Sequence, residues 1–254
     1  MLACGLVVAF DFARAENAGA DAIAYWHGVR AWLAGGDPYA TVTDPTQASG
    51  HILPYAYPPW TLVVFVPWAL LPWGVAWLLW RWASVVLFAW SIKWAYQRRP
   101  LGTAVVLAIL APAFAANFDT GNINIFLALA IWVAQFVRPR FGGLLWAFTA
   151  ALKWLPTGLI FVLPARARLW GIVLLGYFTL LTLATWPETL RQVDVAINYH
   201  RPLRLDYFML LWAAVPWLWR QPWPPWWLQS REIVAHWRGR PALGAWIRRY
   251  FGLA

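Results

Sequence analysis

Residues 74–96 read GVAWLLWRWASVVLFAWSIKWAY, an apolar run broken only by Arg81, Lys93 and the serines at 84 and 91. At about 1.5 Å rise per residue, a helix of this length covers the roughly 30 Å hydrocarbon core of a bilayer. Apolar residues follow one another without the alternation of a barrel strand, so a helix in lipid is the reading. Composition agrees: 62% of the chain is hydrophobic and 12% charged, against roughly 25% charged in a soluble domain. A wholly water-facing surface is excluded.

Outward from this run, further apolar stretches lie at 101–118, 125–137, 141–164, 169–185 and 205–219, and a shorter one at 60–71. Residues 1–10 and 60–71 are too short to cross a bilayer comfortably. The expectation is an all-α, polytopic transmembrane protein of seven to nine membrane segments, some of them half-helices. Residues 1–219 form a single transmembrane domain, with a first extracytoplasmic loop at 11–58 and a second polar loop at 187–204. Residues 220–254 form a basic, Trp-rich cytoplasmic tail.

The net charge of +10 sits between apolar runs, as the positive-inside rule requires, and does not call for nucleic acid. Arg138 and Arg140 precede 141–164, and Arg166 and Arg168 follow it. If both pairs are cytoplasmic, this segment is a hairpin of half-helices broken near Lys153 to Pro156; the rival is one tilted span. Of the 23 Trp, Trp60, Trp68, Trp73, Trp90, Trp94, Trp186, Trp217 and Trp219 lie near predicted helix ends, where they read as interfacial anchors. Cys4 is alone, and His51 lacks spaced partners, so neither a disulfide nor a metal site is expected.

In the first polar loop, 21–34 has the pattern of a short amphipathic helix on the membrane surface, ended by Gly35-Gly36-Asp37-Pro38. Asp21 opens it and is either its N-cap or a general base that takes a proton from an acceptor hydroxyl. His27, six residues on, lies on nearly the opposite face and is no direct partner of Asp21. Asn122 and Asn124 either start a helix or form a polar wall for a sugar or phosphate, and Gly121 allows close backbone approach. Lys153, in the middle of an apolar stretch, snorkels, pairs with an acid such as Asp119, or meets a lipid phosphate. His200, Arg201 and Arg204 are suited to phosphate oxygens or to lipid anchoring.

In order along the chain stand Asp21-Ala-Ile-Ala-Tyr25-Trp26, Leu33-Ala-Gly35-Gly36-Asp37-Pro38-Tyr39 and Tyr57-Pro58-Pro59. Gly121-Asn122-Ile123-Asn124 and Ala150-Ala151-Leu152-Lys153-Trp154-Leu155-Pro156 follow. Together they resemble the family 87 membrane glycosyltransferases, among them polyprenol-phosphate-mannose-dependent mannosyltransferases. The resemblance covers about residues 5–170. It implies a GT-C-like fold and transfer of a hexose, mannose or a relative, from a polyprenyl-phosphate donor to a lipid or glycan acceptor, without a cofactor. It implies Asp21 as catalytic base; the substrate-binding candidates are Tyr25, His27, Tyr57, Asn122, Asn124, Lys153, His200, Arg201 and Arg204. The setting would be the plasma membrane, with an extracytoplasmic active face. The family usually runs to more helices, so the chain looks shortened, and Asn198-Tyr199-His200-Arg201 stands where an Asn-Gln-Ser pattern is expected.

A non-catalytic accessory subunit, with membrane-protein partners, is the alternative from another class. A transporter would need paired repeats that are not visible. An Asp21 facing a lipid-accessible groove favours the enzyme, and a packed Asp21 favours the accessory subunit.

Overall fold

The computed structural model describes residues 19–44, 51–198 and 205–220. The expectations for Cys4, for the first apolar run, for His200, Arg201 and Arg204, and for the tail beyond Arg220 lie outside these residues. The described part is all-α apart from one pair of two-residue strands, β1 (Val42–Thr43) and β2 (His51–Ile52), which are antiparallel.

The helices are α1 (Ala20–Leu33), α2 (Leu62–Ala69, after a 3-10 turn Pro59–Thr61), α3 (Trp73–Arg98), α4 (Pro100–Thr120) and α5 (Asn124–Ala134). They continue as α6 (Pro139–Leu152), a 3-10 helix (Leu155–Val162), α7 (Ala165–Ala184) and α8 (Trp186–Asn198). A 3-10 helix (Leu205–Ala214) and α9 (Val215–Arg220) close the described chain. Three of them, α3, α4 and α7, are long and apolar enough to cross a membrane. Their outer faces are the lipid-facing kind: Leu78, Trp82 and Val86 on α3, Ile109 on α4, and Leu169, Val173 and Leu180 on α7 are all exposed. The protein is therefore an all-α polytopic membrane protein with shorter apolar helices packed among the long ones.

The 141–164 segment is the hairpin. α6 ends at Leu152, Lys153 is extended (φ −140°, ψ 132°), and the 3-10 helix runs back. Trp146 Nε1 donates to the Pro156 carbonyl at 3.0 Å and fastens the return. The starts of α6 and α7 then lie side by side. A Cβ on Gly143 would stand 2.6 Å from Gly171 N, and one on Gly171 would stand 2.6 Å from Trp146. Only glycine permits this approach, and it brings Arg138, Arg140 and Arg166 around one surface.

Three expectations need correction. Residues 187–204 do not begin as a loop, because Trp186–Asn198 is helical; Glu188 in its first turn suits the positive end of the helix dipole. Residues 205–219 are not one regular span but a 3-10 helix followed by a short α-helix. The chain there packs inside the bundle through Trp212, whose ring stacks on Trp132 at 5.5 Å and whose Nε1 donates to Ser91 Oγ at 2.9 Å. Several tryptophans expected as interfacial anchors bind protein as well. Trp60 Nε1 donates to Thr182 Oγ1, Trp68 Nε1 to the Ala76 carbonyl and Trp219 Nε1 to Thr103 Oγ1. Trp90 and Trp186 stay about half exposed.

Candidate functional site

Asp21 is not the N-cap of its helix. α1 begins at Ala20, and its cap position is Gly19 at φ 81°, a left-handed conformation that glycine adopts without strain. Gly19 N donates to the Asp119 carbonyl at 2.8 Å, which ties the start of α1 to the end of α4. Burial along α1 is graded from end to end: residues 21–25 are all buried, whereas Arg30, Trp32 and Leu33 are exposed. The helix drives its first turns into the bundle.

Opposite it, α4 stops at Gly121, whose φ of 67° ends the helix, and α5 restarts at Asn124. A Cβ on Gly121 would stand 2.6 Å from the Trp77 ring and 2.8 Å from Ala22 Cβ, so the turn closes directly on α1. In this turn Asn122 works in three directions. Its Nδ2 donates to Asp21 Oδ2 at 2.9 Å. Its Oδ1 accepts the Asn124 amide at 3.0 Å, which satisfies one donor at the start of α5, and it also accepts from Lys153 Nζ at 3.1 Å. Lys153, released from helix geometry at the break of the hairpin, donates in addition to Asn124 Oδ1 at 2.8 Å. Three parts of the chain thus meet in one polar chain, Lys153 to Asn122 to Asp21. Both asparagines are buried, and Asp21 retains 9% of its surface.

Tyrosines cover this chain. Tyr25 and Tyr57 share a hydroxyl–hydroxyl bond of 3.0 Å, Tyr39 Oη donates to the Tyr57 carbonyl at 3.2 Å, and Tyr55 and Thr61 hydroxyls pair at 2.7 Å. Burial, then the neighbouring Tyr57 hydroxyl and the Asp21 carboxylate, hold Tyr25 well above the usual phenol range. Tyr57 is raised by burial in the same way, with Asp21 adding to it and the bond from Tyr25 opposing. Both remain protonated donors at neutral pH. The Lys153 ammonium lies 5.8 Å from the Tyr57 ring centre and 5.1 Å from that of Tyr207, within the range of a cation–π attraction.

Of the residues singled out from sequence, Asp21, Tyr25, Tyr57, Asn122, Asn124 and Lys153 come together. His27 does not join them. It is partly buried, burial lowers its pKa and Asp44 opposes that shift. Tyr207 and Tyr39 were missed. Tyr39 closes the Gly35-Gly36-Asp37-Pro38-Tyr39 motif without having been singled out as a site residue, Tyr207 has no motif around it, and only the packing of the first loop and of the 3-10 helix brings them in.

Arg98, Arg99, Arg138, Arg140, Arg166 and Arg168 stand at the ends of the helices away from the polar chain. α4 and α7 end beside the polar chain and begin at Pro100 and Ala165, next to Arg98, Arg99, Arg166 and Arg168. Arg98 stacks on Trp94, which meets Phe136, and Arg220 covers Phe136 and donates to the Gln135 carbonyl.

A sequence model described as Glycosyltransferase family 87 matches residues 55–204, a stretch that begins after Asp21 and takes in Tyr57, Asn122, Asn124 and Lys153. One relative is the polyprenol-phosphate-mannose-dependent alpha-(1-2)-phosphatidylinositol pentamannoside mannosyltransferase of Mycolicibacterium smegmatis. It is 31% identical over 137 residues, which cover 50% of this chain and 33% of the relative. The protein of the same description from Mycobacterium tuberculosis is 32% identical over 121 residues, 43% of this chain and 28% of its own. The chain spans about a third of the length of these relatives. No solved structure matches significantly.

Proposed function

The chain belongs to glycosyltransferase family 87, and from that premise we propose that it moves a hexose, mannose in the first instance, from a polyprenyl phosphate to a hydroxyl of a lipid or glycan acceptor. Asp21 is the general base. Its carboxylate takes the acceptor proton as that oxygen attacks the anomeric carbon, while the bond from this carbon to the phosphate oxygen breaks and the polyprenyl phosphate leaves. One base acting from the acceptor side inverts the anomeric centre. Asn122 holds one carboxylate oxygen, and Lys153 orients Asn122. The names of the relatives support the donor class and a phosphatidylinositol-based acceptor.

The observation that carries this reading is the chain from Lys153 through Asn122 to a buried Asp21. Ionisable groups drawn together inside an apolar helical bundle are expensive and are functional candidates by default. The site's face follows from charge. The arginine-rich ends of α3, α4, α6 and α7 lie opposite the polar chain, so by the positive-inside rule the polar chain faces away from the cytoplasm. The setting is the plasma membrane, and residues 1–219 act as one unit.

The burial of Asp21, at 9% exposure, favours a second reading, a non-catalytic accessory subunit in which the carboxylate only fixes α1 to α4 and α5. Asp21→Asn separates the two. In proteoliposomes supplied with polyprenyl-phosphate mannose and phosphatidylinositol mannoside, loss of a general base lowers turnover by about 10²–10⁴. Turnover equal to the unsubstituted protein's refutes Asp21 as base. Absence of transfer in the unsubstituted protein itself supports the accessory subunit.

A further inference from the structure

A recess lies where the exposed end of α1 meets the elbow between α7 and α8, lined in part by Tyr39, which also reaches the Tyr57 carbonyl. Its volume is about 720 Å³, within the range of small-molecule sites. Asp37, Glu188 and Arg191 line its polar side, and Trp32, Trp60 and Val63 its apolar side. Arg191 Nη1 meets Asp37 Oδ2 at 3.2 Å, with the side chains 66% and 41% exposed. The other Asp37 oxygen accepts the Tyr39 amide at 2.9 Å, so the carboxylate has a fixed orientation.

α8 places this recess at a membrane surface. Trp186, Leu190, Val193 and Ile197 form an exposed stripe at helical spacing, whereas the opposite face binds the first loop through Arg191 and through Gln192, which donates to the Ala56 carbonyl at 3.2 Å. A helix held to protein by its polar side, with an apolar stripe outward, lies in the plane of the interface. The Val63 wall, 61% exposed on α2, continues from the recess toward the apolar layer.

We propose that this recess binds the uncharged, polyhydroxylated headgroup of a membrane glycolipid, with the acyl chains against Val63. Two carboxylates face one guanidinium, and that guanidinium is already engaged, so the net charge of these side chains is −1 and a phosphate headgroup is disfavoured. Carboxylates accept from vicinal hydroxyls, Arg191 donates to ring oxygens, and the indole of Trp60 offers an apolar face to sugar C–H groups. This binding does not rest on the transferase reading above, and the lipid is distinct from the phosphatidylinositol-based acceptor proposed there.

The test uses the full chain in detergent, with lipid retention read by native mass spectrometry. The probes are digalactosyl diacylglycerol and phosphatidylglycerol with the same acyl chains. The expected result is preferential retention of the digalactosyl lipid, by about tenfold, and collapse of that preference in the Asp37→Asn/Glu188→Gln double variant, which removes two charged acceptors. Asp21→Asn retains the preference, so a failure of the transferase reading leaves this result intact. Equal retention of both lipids, or an unchanged preference in the double variant, overturns the proposal. These exposed side chains carry little of the fold's stability, so the double variant folds.

Discussion

Lys153→Met keeps the length and the apolar stem of the side chain and removes the ammonium. Two hydrogen bonds go with it, at 2.8 Å to Asn124 Oδ1 and 3.1 Å to Asn122 Oδ1. A bond to a charged group contributes about 1.5–3 kcal/mol, which sets an upper bound of roughly 6 kcal/mol. Two effects reduce it. Asn122 Oδ1 keeps the Asn124 amide at 3.0 Å, and loss of a partly buried cation relieves a desolvation cost that reaches several kcal/mol per ion. The net loss is about 2 kcal/mol, roughly a 30-fold change in the folding equilibrium at 1.4 kcal/mol per tenfold. Denaturant unfolding of the purified protein in detergent, followed by tryptophan fluorescence, measures it. Lys153→Arg recovers less than half, because a planar guanidinium cannot place point-like donors on two carboxamides in the same geometry. A Lys153→Met protein within about 0.5 kcal/mol of the parent, the range of an ordinary surface substitution, refutes the claim that Lys153 organises Asn122 and Asn124.

Gly121→Ala combines a left-handed φ of 67° with a Cβ 2.6 Å from Trp77 and costs about 1–3 kcal/mol, read as a lowered unfolding midpoint; Gly74→Ala, with open space around it, is the matched control. Tyr25→Phe and Tyr57→Phe each break the buried 3.0 Å hydroxyl pair; Tyr25→Phe costs about 1–2 kcal/mol, and Tyr57→Phe costs less because the Ile123 backbone still bonds the Tyr25 hydroxyl. The double variant costs less than the two singles together, and a double-mutant cycle measures the coupling. His27 has its pKa lowered from 6.5 by burial. The unfolded chain therefore binds the proton more readily, and the contribution to stability is full above pH 6.5 and lost as the pH falls through the folded value. His27→Gln flattens the stability profile on the acid side of pH 6.5, measured as the unfolding midpoint against pH.

The run at 74–96 and its counterparts at 101–118 and 169–185 were legible because spanning a bilayer is a local property of length and composition, and the structure puts α3, α4 and α7 on them. The break at Lys153 was legible only in part. Arginine pairs on both sides of one apolar segment made a hairpin broken near Lys153 to Pro156 one of two alternatives, and the extended Lys153 with the 3-10 helix after it decided against the single tilted span. Helix α8 was not legible as a helix. Its apolar stripe of Trp186, Leu190, Val193 and Ile197 is spread among charged residues that look like a loop until a 3.6-residue period is imposed.

Candidate polar residues could be found one by one, since Asp21, Asn122, Asn124 and Lys153 each interrupt an apolar setting and such interruptions are costly. Which of them touch depends on contacts across 101 and 31 residues of chain. No local pattern encodes that separation. His27 and Asp21 share one helix and stay apart, whereas Asp21 and Lys153 share nothing in sequence and are joined through one carboxamide. The sequence by itself determined the solvent this protein folds in, because that depends on summed transfer free energy along the chain. Only tertiary structure decided the site, because hydrogen-bond geometry at about 3 Å is set by how Gly121, Gly143 and Gly171 let the helices close on one another.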